Sequence, residues 1–162
     1  MDNLNLYLEY HLWANNKILE RLAEVPKEEW EQNVGGSFPT LRELYTHILG
    51  GDYRWLQRWK GVPIAEIPSH FIIDDYESLA ALWRPILEET LTVGKEFLAG
   101  KAEQPINFIT ARGLDVTQPF WQTLYQVVNH GTYHRGQVTN ALRTLGRDAV
   151  ATDIFLFFRE KA

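Results

Sequence analysis

Hydrophobic residues recur at helical spacing in four long stretches of the chain. The first stretch runs from Asp2 to about Glu24, where Pro26 stops it, and its leucines and isoleucines lie three or four positions apart. This spacing places apolar side chains on one face of a helix. We therefore predict an amphipathic first helix whose apolar face is interrupted by two polar residues, His11 and Asn15.

The second stretch has a distinct start. Thr40 followed by Glu43 matches the capping box, in which a hydroxyl and a carboxylate satisfy backbone amides of the first helical turn. Apolar positions at helical spacing then continue to Trp59. Gly50 and Gly51 interrupt the middle of this helix, where each glycine costs up to about 1 kcal/mol relative to alanine.

Two further stretches complete the set of helices. The third runs from about Asp74 to Gly100, and the fourth runs from about Pro119 to Gly146. The connection over residues 61–74 contains two prolines and joins the second helix to the third. Such a segment is long enough to cross from one end of a helical bundle to the other.

The pattern changes between the third and fourth helices. Over residues 104–118 apolar and polar residues alternate, and Arg112-Gly113 interrupts the alternation as a turn would. This pattern predicts a short β-hairpin. We predict an all-α fold, a four-helix bundle with a long crossover and a short β-hairpin insert, formed by residues 1–162 as a single domain.

Composition narrows the classes of function. Of 162 residues, 45% are hydrophobic and 23% are charged, which is typical of a globular protein. A net charge of −5 disfavours nucleic acid as a partner, and the absence of cysteine excludes disulfides, thiolate ligands and a cysteine nucleophile. The longest apolar run, 154–158, is too short to span a membrane, and the first residues carry acids where a signal peptide needs basic residues. We expect a cytoplasmic protein with no membrane partner.

Histidines supply the candidate chemistry. His130 and His134 lie four positions apart in the fourth helix, so that both imidazoles share one face and can chelate a metal ion. His47 occupies a matching position in the second helix. Three histidine ligands would leave coordination positions open, as in catalytic sites. The pattern alone equally allows partly buried histidines with ordinary hydrogen bonds, which is the interpretation we favour for His11 and His70.

Other chemistries fit the sequence less well. The peptide HGTYH lacks the glutamate that acts as general base in metalloprotease helices. The fourth helix also lacks the Glu-x-x-His motif of di-iron bundles. The serines, which are Ser37, Ser69 and Ser78, do not lie in a nucleophile elbow, and no glycine-rich phosphate loop is present.

Four peptides, within a match that extends from about residue 4 to residue 158, are similar to segments of a known family. In chain order they are YHLWANNKILERL, LRELYTHILGGDYRWLQRW, WQTLYQVVNHGTYHRGQV and TDIFLFF. Together they resemble the DinB/YfiT-like family of bacterial metalloproteins. The most specific element is the late Asn-His-Gly-Thr-Tyr-His-Arg-Gly-Gln peptide combined with the earlier Thr-His-Ile-Leu.

The resemblance implies a fold and a metal site. The expected fold is an up-down-down-up four-helix bundle that holds one divalent metal ion by three histidines. On this chain those ligands are His47, His130 and His134, all present without substitution. The family metal varies among nickel, zinc and iron, and many members are dimers, so we expect a homodimer here.

The resemblance also indicates which reactions to consider. Characterised relatives act on low-molecular-weight thiols, and they either transfer bacillithiol or mycothiol or isomerise maleylpyruvate. We therefore expect a metal-dependent thiol transferase with a small-molecule substrate, since a divalent ion with three neutral ligands favours the thiolate of a bound thiol. A metal-dependent hydrolase, which uses metal-bound water, and a non-catalytic metal or ligand sensor are the alternatives.

Five polar residues can line such a pocket without being ligands. They are His11 and Asn15 on the first helix, Asp52 on the second, and Tyr133 and Arg135 on the fourth. Residues of these types more often have a surface or packing role. We therefore assign no catalytic residue from the sequence.

Overall fold

Four long helices form where the apolar periodicity predicts them. The computed structural model describes residues 2–63 and 65–162. Its long helices are α1 (Asp2–Leu22), α2 (Leu41–Trp59), α3 (Tyr76–Leu98) and α4 (Phe120–Thr144). Each helix ends within about two residues of the position expected from the sequence, and the all-α prediction is confirmed.

Side-chain caps fix the starts of α2 and α3. The Thr40 hydroxyl accepts a hydrogen bond from the Glu43 amide at 3.1 Å, which is the first half of the predicted capping box. α3 begins two residues later than expected because Asp75, not Asp74, is its N-cap. Asp75 and Ser78 each accept a hydrogen bond from the other's backbone amide, so this helix has a complete capping box.

Contacts between the helices show the directions in which they run. α1 and α4 are parallel, α2 and α3 run together in the opposite direction, and the bundle is therefore up-down-down-up. For α1 and α4, the contacts Tyr7–Tyr125 and Asn15–Arg135 show a parallel arrangement. For α2 and α4, Trp59–Thr123 and His47–His134 show an antiparallel one. For α2 and α3, Tyr45–Trp83 and Lys60–Glu89 show a parallel one. The parallel arrangement of α2 and α3 requires the long crossover between them.

The predicted hairpin is present between α3 and α4. Strands β1 (Pro105–Ile109) and β2 (Asp115–Pro119) pair antiparallel, with Phe108 opposite Val116. The turn contains Gly113 at φ 77°, a conformation that favours glycine. Phe108 is buried and anchors the hairpin against the bundle.

A fifth helix, α5 (Ile154–Lys161), was not predicted. An isolated helix of eight residues is marginal in water, so tertiary contacts must hold it. The Phe157 ring packs 5.9 Å from that of Tyr10 and 5.8 Å from that of Trp13. Glu160 accepts hydrogen bonds from Trp13 and Lys17. These contacts attach α5 to the outer face of α1.

The buried core is divided by a polar layer. On α1, one apolar cluster ends at Ala14 and the other begins at Ile18, with buried Asn15 between them. On α4, buried His134 and Arg135 likewise lie between the two clusters. None of the helices in the described part of the chain combines the length and the apolar character that a membrane crossing requires.

Candidate metal centre

Three histidine side chains converge where α2 faces α4. Nε2 of His134 lies 3.1 Å from Nε2 of His47 and 3.0 Å from Nε2 of His130. One nitrogen from each ring lies within 4.8 Å of the other two. Three nitrogens that bind one ion at about 2.1 Å and at right angles are about 3.0 Å apart. The two distances from His134 match this spacing, and the three nitrogens lie close enough together to hold a single ion.

The backbone provides room for this arrangement. The antiparallel packing of α2 on α4 brings His47 next to the histidine pair on α4. The spacing of four residues places His130 one helical turn before His134, so that the two rings meet edge to face. A Cβ atom added to Gly51 would lie 3.0 Å from Cε1 of His130, closer than ordinary packing allows. The glycine that weakens the middle of α2 therefore makes space for one imidazole of the cluster.

A glutamine on α4 orients His134. Nδ1 of His134 lies 2.7 Å from Oε1 of Gln137, so the ring donates its Nδ1–H to the amide oxygen. The Nε2 lone pair then faces the other two histidines. Gln137 closes the Asn-His-Gly-Thr-Tyr-His-Arg-Gly-Gln peptide, but the sequence pattern assigns it no role. Its position three residues after His134, on the same helical face, is the signal that was available.

Aromatic rings cover one side of the cluster. The Phe38 ring, from the loop before α2, lies 4.6 Å from the His47 ring and 6.0 Å from the His134 ring. The exposed Tyr133 ring lies 5.1 Å from that of His134. His134 is buried, His130 is half-buried and His47 is exposed. The cluster is therefore closed towards the bundle and accessible from the side of His47.

The surroundings of the three imidazoles favour their neutral form. Desolvation lowers the pKa of His47 and of His134, and for His47 the neighbouring His134 acts in the same direction. The pKa of His130 is lowered to about 4, first by desolvation and then by the two other histidines. Neutral imidazole is the form that binds metal, because protonation occupies the lone pair. At neutral pH all three nitrogens are therefore free to act as ligands.

A cavity lies beside the accessible histidine. It has a volume of about 580 Å³, and His47, Phe38, Arg54 and Ile67 are among its lining residues. A volume of this size accommodates a small molecule. Arg54 is exposed and forms no ion pair with any residue in the described ranges. A small ligand in the cavity would therefore meet a positive charge close to the histidine cluster.

Four of the five other polar candidates have their hydrogen bonds or contacts away from the three histidines. His11 accepts a hydrogen bond from the Asn15 amide at 3.1 Å, and burial lowers the pKa of His11 to about 3. Asp52 is buried against Trp83, which donates to its carboxyl at 2.8 Å. Arg135 donates to Asn15 on α1. Of the five residues proposed to line the pocket, Tyr133 alone packs on a histidine of the cluster, and His70 is an exposed loop residue.

The donor set suits a borderline transition metal. Imidazole nitrogen binds zinc, nickel, copper and iron, and three such ligands leave at least one position for water or a substrate. The hydrogen bond that His134 donates to Gln137 matches the outer-shell contact that metal-binding histidines normally have. Among the described residues, this cluster is the one group of three or more histidine or acidic side chains whose ligand atoms lie close enough together to hold a metal ion.

Comparison with known proteins agrees with the fold and with the residue pattern. The sequence profile described as the DinB family matches residues 1–161. Protein DinB of Bacillus subtilis (strain 168) is 28% identical over 158 residues, which cover 92% of this chain and 90% of that protein. The crystal structure of a DinB-like protein from Bacillus cereus ATCC 10987 superposes with a TM-score of 0.67 at 17% identity, over 90% of this chain and 94% of that one. The chain belongs to the DinB family.

Proposed function

We propose that this protein binds one divalent transition-metal ion through His47, His130 and His134 and activates a low-molecular-weight thiol for transfer to an electrophilic substrate. The observation that carries the proposal is the convergence of three neutral imidazoles beside an accessible cavity. A structural zinc site is normally closed by four protein ligands, whereas this cluster offers three. An open position next to a cavity favours binding of an exogenous ligand.

The residues around the cluster have distinct roles in this proposal. A bound divalent ion with three neutral ligands supplies the positive charge that favours a thiolate, which is the nucleophilic form of a thiol. Gln137 holds the His134 ring in the tautomer whose Nε2 lone pair is free. Phe38 covers the rings and limits the access of water. Arg54 lies in the cavity wall, where it can bind an anionic group of the thiol.

Metal content is the first test. We expect purified protein to take up about one equivalent of Ni²⁺, Zn²⁺ or Fe²⁺, measured by elemental analysis after dialysis and by titration calorimetry. His47→Ala, His130→Ala and His134→Ala should each weaken this binding strongly. His70→Ala is the matched control, because His70 is exposed and lies outside the cluster. Equal binding by all four variants would contradict the proposed ligand set.

Thiol consumption is the second test. The metal-loaded protein is incubated with bacillithiol or another small thiol and an electrophile such as monobromobimane, and loss of free thiol is followed. We expect turnover that requires metal and is lost in His47→Ala but not in His70→Ala. Metal binding without consumption of any thiol in the panel would refute the transferase proposal and leave the metal site intact.

The second candidate function is a non-catalytic metal sensor, because the three ligands come from two different helices. His47 comes from α2, whereas His130 and His134 come from α4, so an ion would link two helices. Metal would then raise the melting temperature without turnover. Hydrolysis of an ester panel by the metal-loaded protein would instead indicate the hydrolase alternative.

A further inference from the structure

A buried arginine of the polar layer, Arg135, forms no ion pair with a carboxylate of the described residues. Arg135 is 4% exposed. Its Nη1 donates to Oδ1 of Asn15 at 3.1 Å, and its Nη2 donates to the Tyr10 hydroxyl at 3.0 Å and to the Thr132 hydroxyl at 2.8 Å. All three partners are uncharged. The Tyr10 ring, 5.3 Å from the guanidinium, is a further neutral contact.

The positive charge of Arg135 is therefore left without a close counter-charge. No carboxylate of the described residues lies within ion-pair distance of it. The buried Asp52 carboxyl interacts with Arg135 only at longer range and is hydrogen-bonded to Trp83. Buried charges in proteins are normally paired, because taking an ion out of water costs several kcal/mol. Nε of Arg135 is also buried and has no hydrogen-bond partner.

A surface pocket has Arg135 in its wall. It has a volume of about 580 Å³ and lies between α4 and the segment that leads into α5. Tyr10, Thr132, Arg135 and Arg143 belong to its wall. Arg143 is exposed and forms no ion pair with the described part of the chain, so a second cationic group faces the same space. Asp153 is the one acidic residue in the wall.

We propose that this pocket binds an oxyanion, the carboxylate or phosphate group of a small molecule, between Arg135 and Arg143. Guanidinium groups match both oxyanions in charge and geometry, and the pocket wall holds two of them. None of the three clustered histidines lines this pocket. The proposal therefore stands independently of the metal site and of the thiol chemistry proposed above.

The test measures binding of two probe anions. Inorganic phosphate and succinate are each titrated into the full-length protein at constant ionic strength, with sodium chloride as the balancing salt. Melting temperature and titration calorimetry are the readouts. We expect at least one probe to raise the melting temperature beyond chloride. Binding of phosphate alone assigns a phosphate ligand, and binding of succinate alone assigns a carboxylate ligand.

Variants locate the binding. Arg143→Gln should lower the affinity for the probe anion at least about tenfold, since a hydrogen-bonded charge is lost. Arg135→Lys keeps the charge but loses the forked geometry of the guanidinium, and it should lower the affinity for the probe anion by a similar factor. Arg112→Gln in the exposed hairpin turn removes the same charge elsewhere and should have no effect. Because Arg143 is on the surface, Arg143→Gln should fold, and it tests whether the anion binds in this pocket even if Arg135→Lys does not fold.

A histidine variant separates this pocket from the metal site. His47→Ala should bind the probe as the wild type does, because His47 does not line the pocket. Loss of probe binding in His47→Ala would place the anion at the histidine cluster and overturn the proposal. No stabilisation beyond chloride, or unchanged affinity in Arg143→Gln, would overturn it as well. Failure of the thiol assay has no bearing on any of these results.

Discussion

Gln137 and His134 form a hydrogen bond on the side of the imidazole that faces away from the histidine cluster. The amide oxygen lies 2.7 Å from Nδ1, so the ring presents its other nitrogen to His47 and His130. A glutamine in this position makes His134 a better ligand, because it fixes both the tautomer and the ring orientation. Gln137 is thus part of the candidate metal centre although it provides no ligand atom.

Removing this hydrogen bond should weaken metal binding while leaving the three histidines in place. For Gln137→Ala we expect an affinity for Zn²⁺ or Ni²⁺ about 10- to 100-fold lower, measured by competition with a chelator. Gln137→Glu should restore or raise the affinity, since a carboxylate also accepts the Nδ1 hydrogen. Gln126→Ala, an exposed position on the same helix, is the control. Equal affinity in all three variants would show that Gln137 does not orient the ligand.

The two adjacent glycines of α2 should respond differently to the same substitution. A Cβ atom at Gly51 would lie 3.0 Å from the His130 ring, so we expect Gly51→Ala to displace this ring and weaken metal binding about tenfold or more. A Cβ atom at Gly50 would lie 3.4 Å from side-chain atoms of Arg54 and Ile67, which is ordinary contact. Gly50→Ala should therefore keep the metal affinity and stabilise the helix by up to about 1 kcal/mol.

Chelator competition and urea unfolding of both glycine variants measure the two effects. The expected pattern is a gain in stability without a loss of metal binding at residue 50, and a loss of metal binding at residue 51. Equal metal affinity in the two variants would mean that the space next to His130 is not required for the site.

The helices were predictable because their signals are local. Apolar spacing, the Thr40 cap and the glycines and prolines at the ends act within a few residues, and the structure has the four long helices at the expected places. The matching position of His47 in α2 suggests that it can face the pair on α4, and the family resemblance implies the full three-histidine set, since helix periodicity alone does not say which helices face each other. α5 was missed because its eight residues depend on contacts with Tyr10 and Trp13 far away in the chain.

The side-chain network was predictable only in part, for the same reason. The burial of Arg135 and its bond to Asn15 depend on the packing of α1 against α4. From the sequence, His11 and Asn15 were recognised as polar interruptions of an apolar face. Their partners were not, because a hydrogen bond between side chains requires the rotamers of both.

The assembly prediction concerns the exposed face of α5. The family resemblance led us to expect a homodimer, and α5 presents Phe155 and Phe158 at 59% and 47% exposure, three residues apart on one face. In sedimentation experiments we expect the wild type to be a dimer, because burial of apolar surface drives association. The double variant that combines Phe155→Ser and Phe158→Ser should be a monomer. Leu114→Ser, at an exposed hairpin position, is the control. A monomeric wild type, or a dimeric double variant, would contradict this assignment.

The stability of the protein should depend on pH through the buried carboxyl of Asp52. Asp52 is 3% exposed, and burial raises the pKa of its carboxyl from 3.8 to about 7, although the hydrogen bond from Trp83 acts in the opposite direction. Between about pH 4 and 7 the folded protein therefore keeps a proton that the unfolded chain has released. The stabilisation associated with this proton is fully present below about pH 4 and is lost as the pH rises through about 7.

Replacing Asp52 with asparagine should remove this dependence. The asparagine oxygen can still accept the hydrogen bond from Trp83, but it does not titrate. We expect the stability of Asp52→Asn relative to the wild type to increase by about 1 kcal/mol per pH unit between about pH 4 and 7 and then to level off. The change attributable to His11, whose pKa is lowered to about 3, runs in the opposite direction and is present in both proteins, so it cancels in the difference.

Urea unfolding of metal-free protein at several pH values measures this difference directly. Asp148→Asn, at an exposed position, is the matched control and should show a nearly constant difference from the wild type. A constant difference for Asp52→Asn as well would mean that Asp52 is ionised in the folded protein throughout this range.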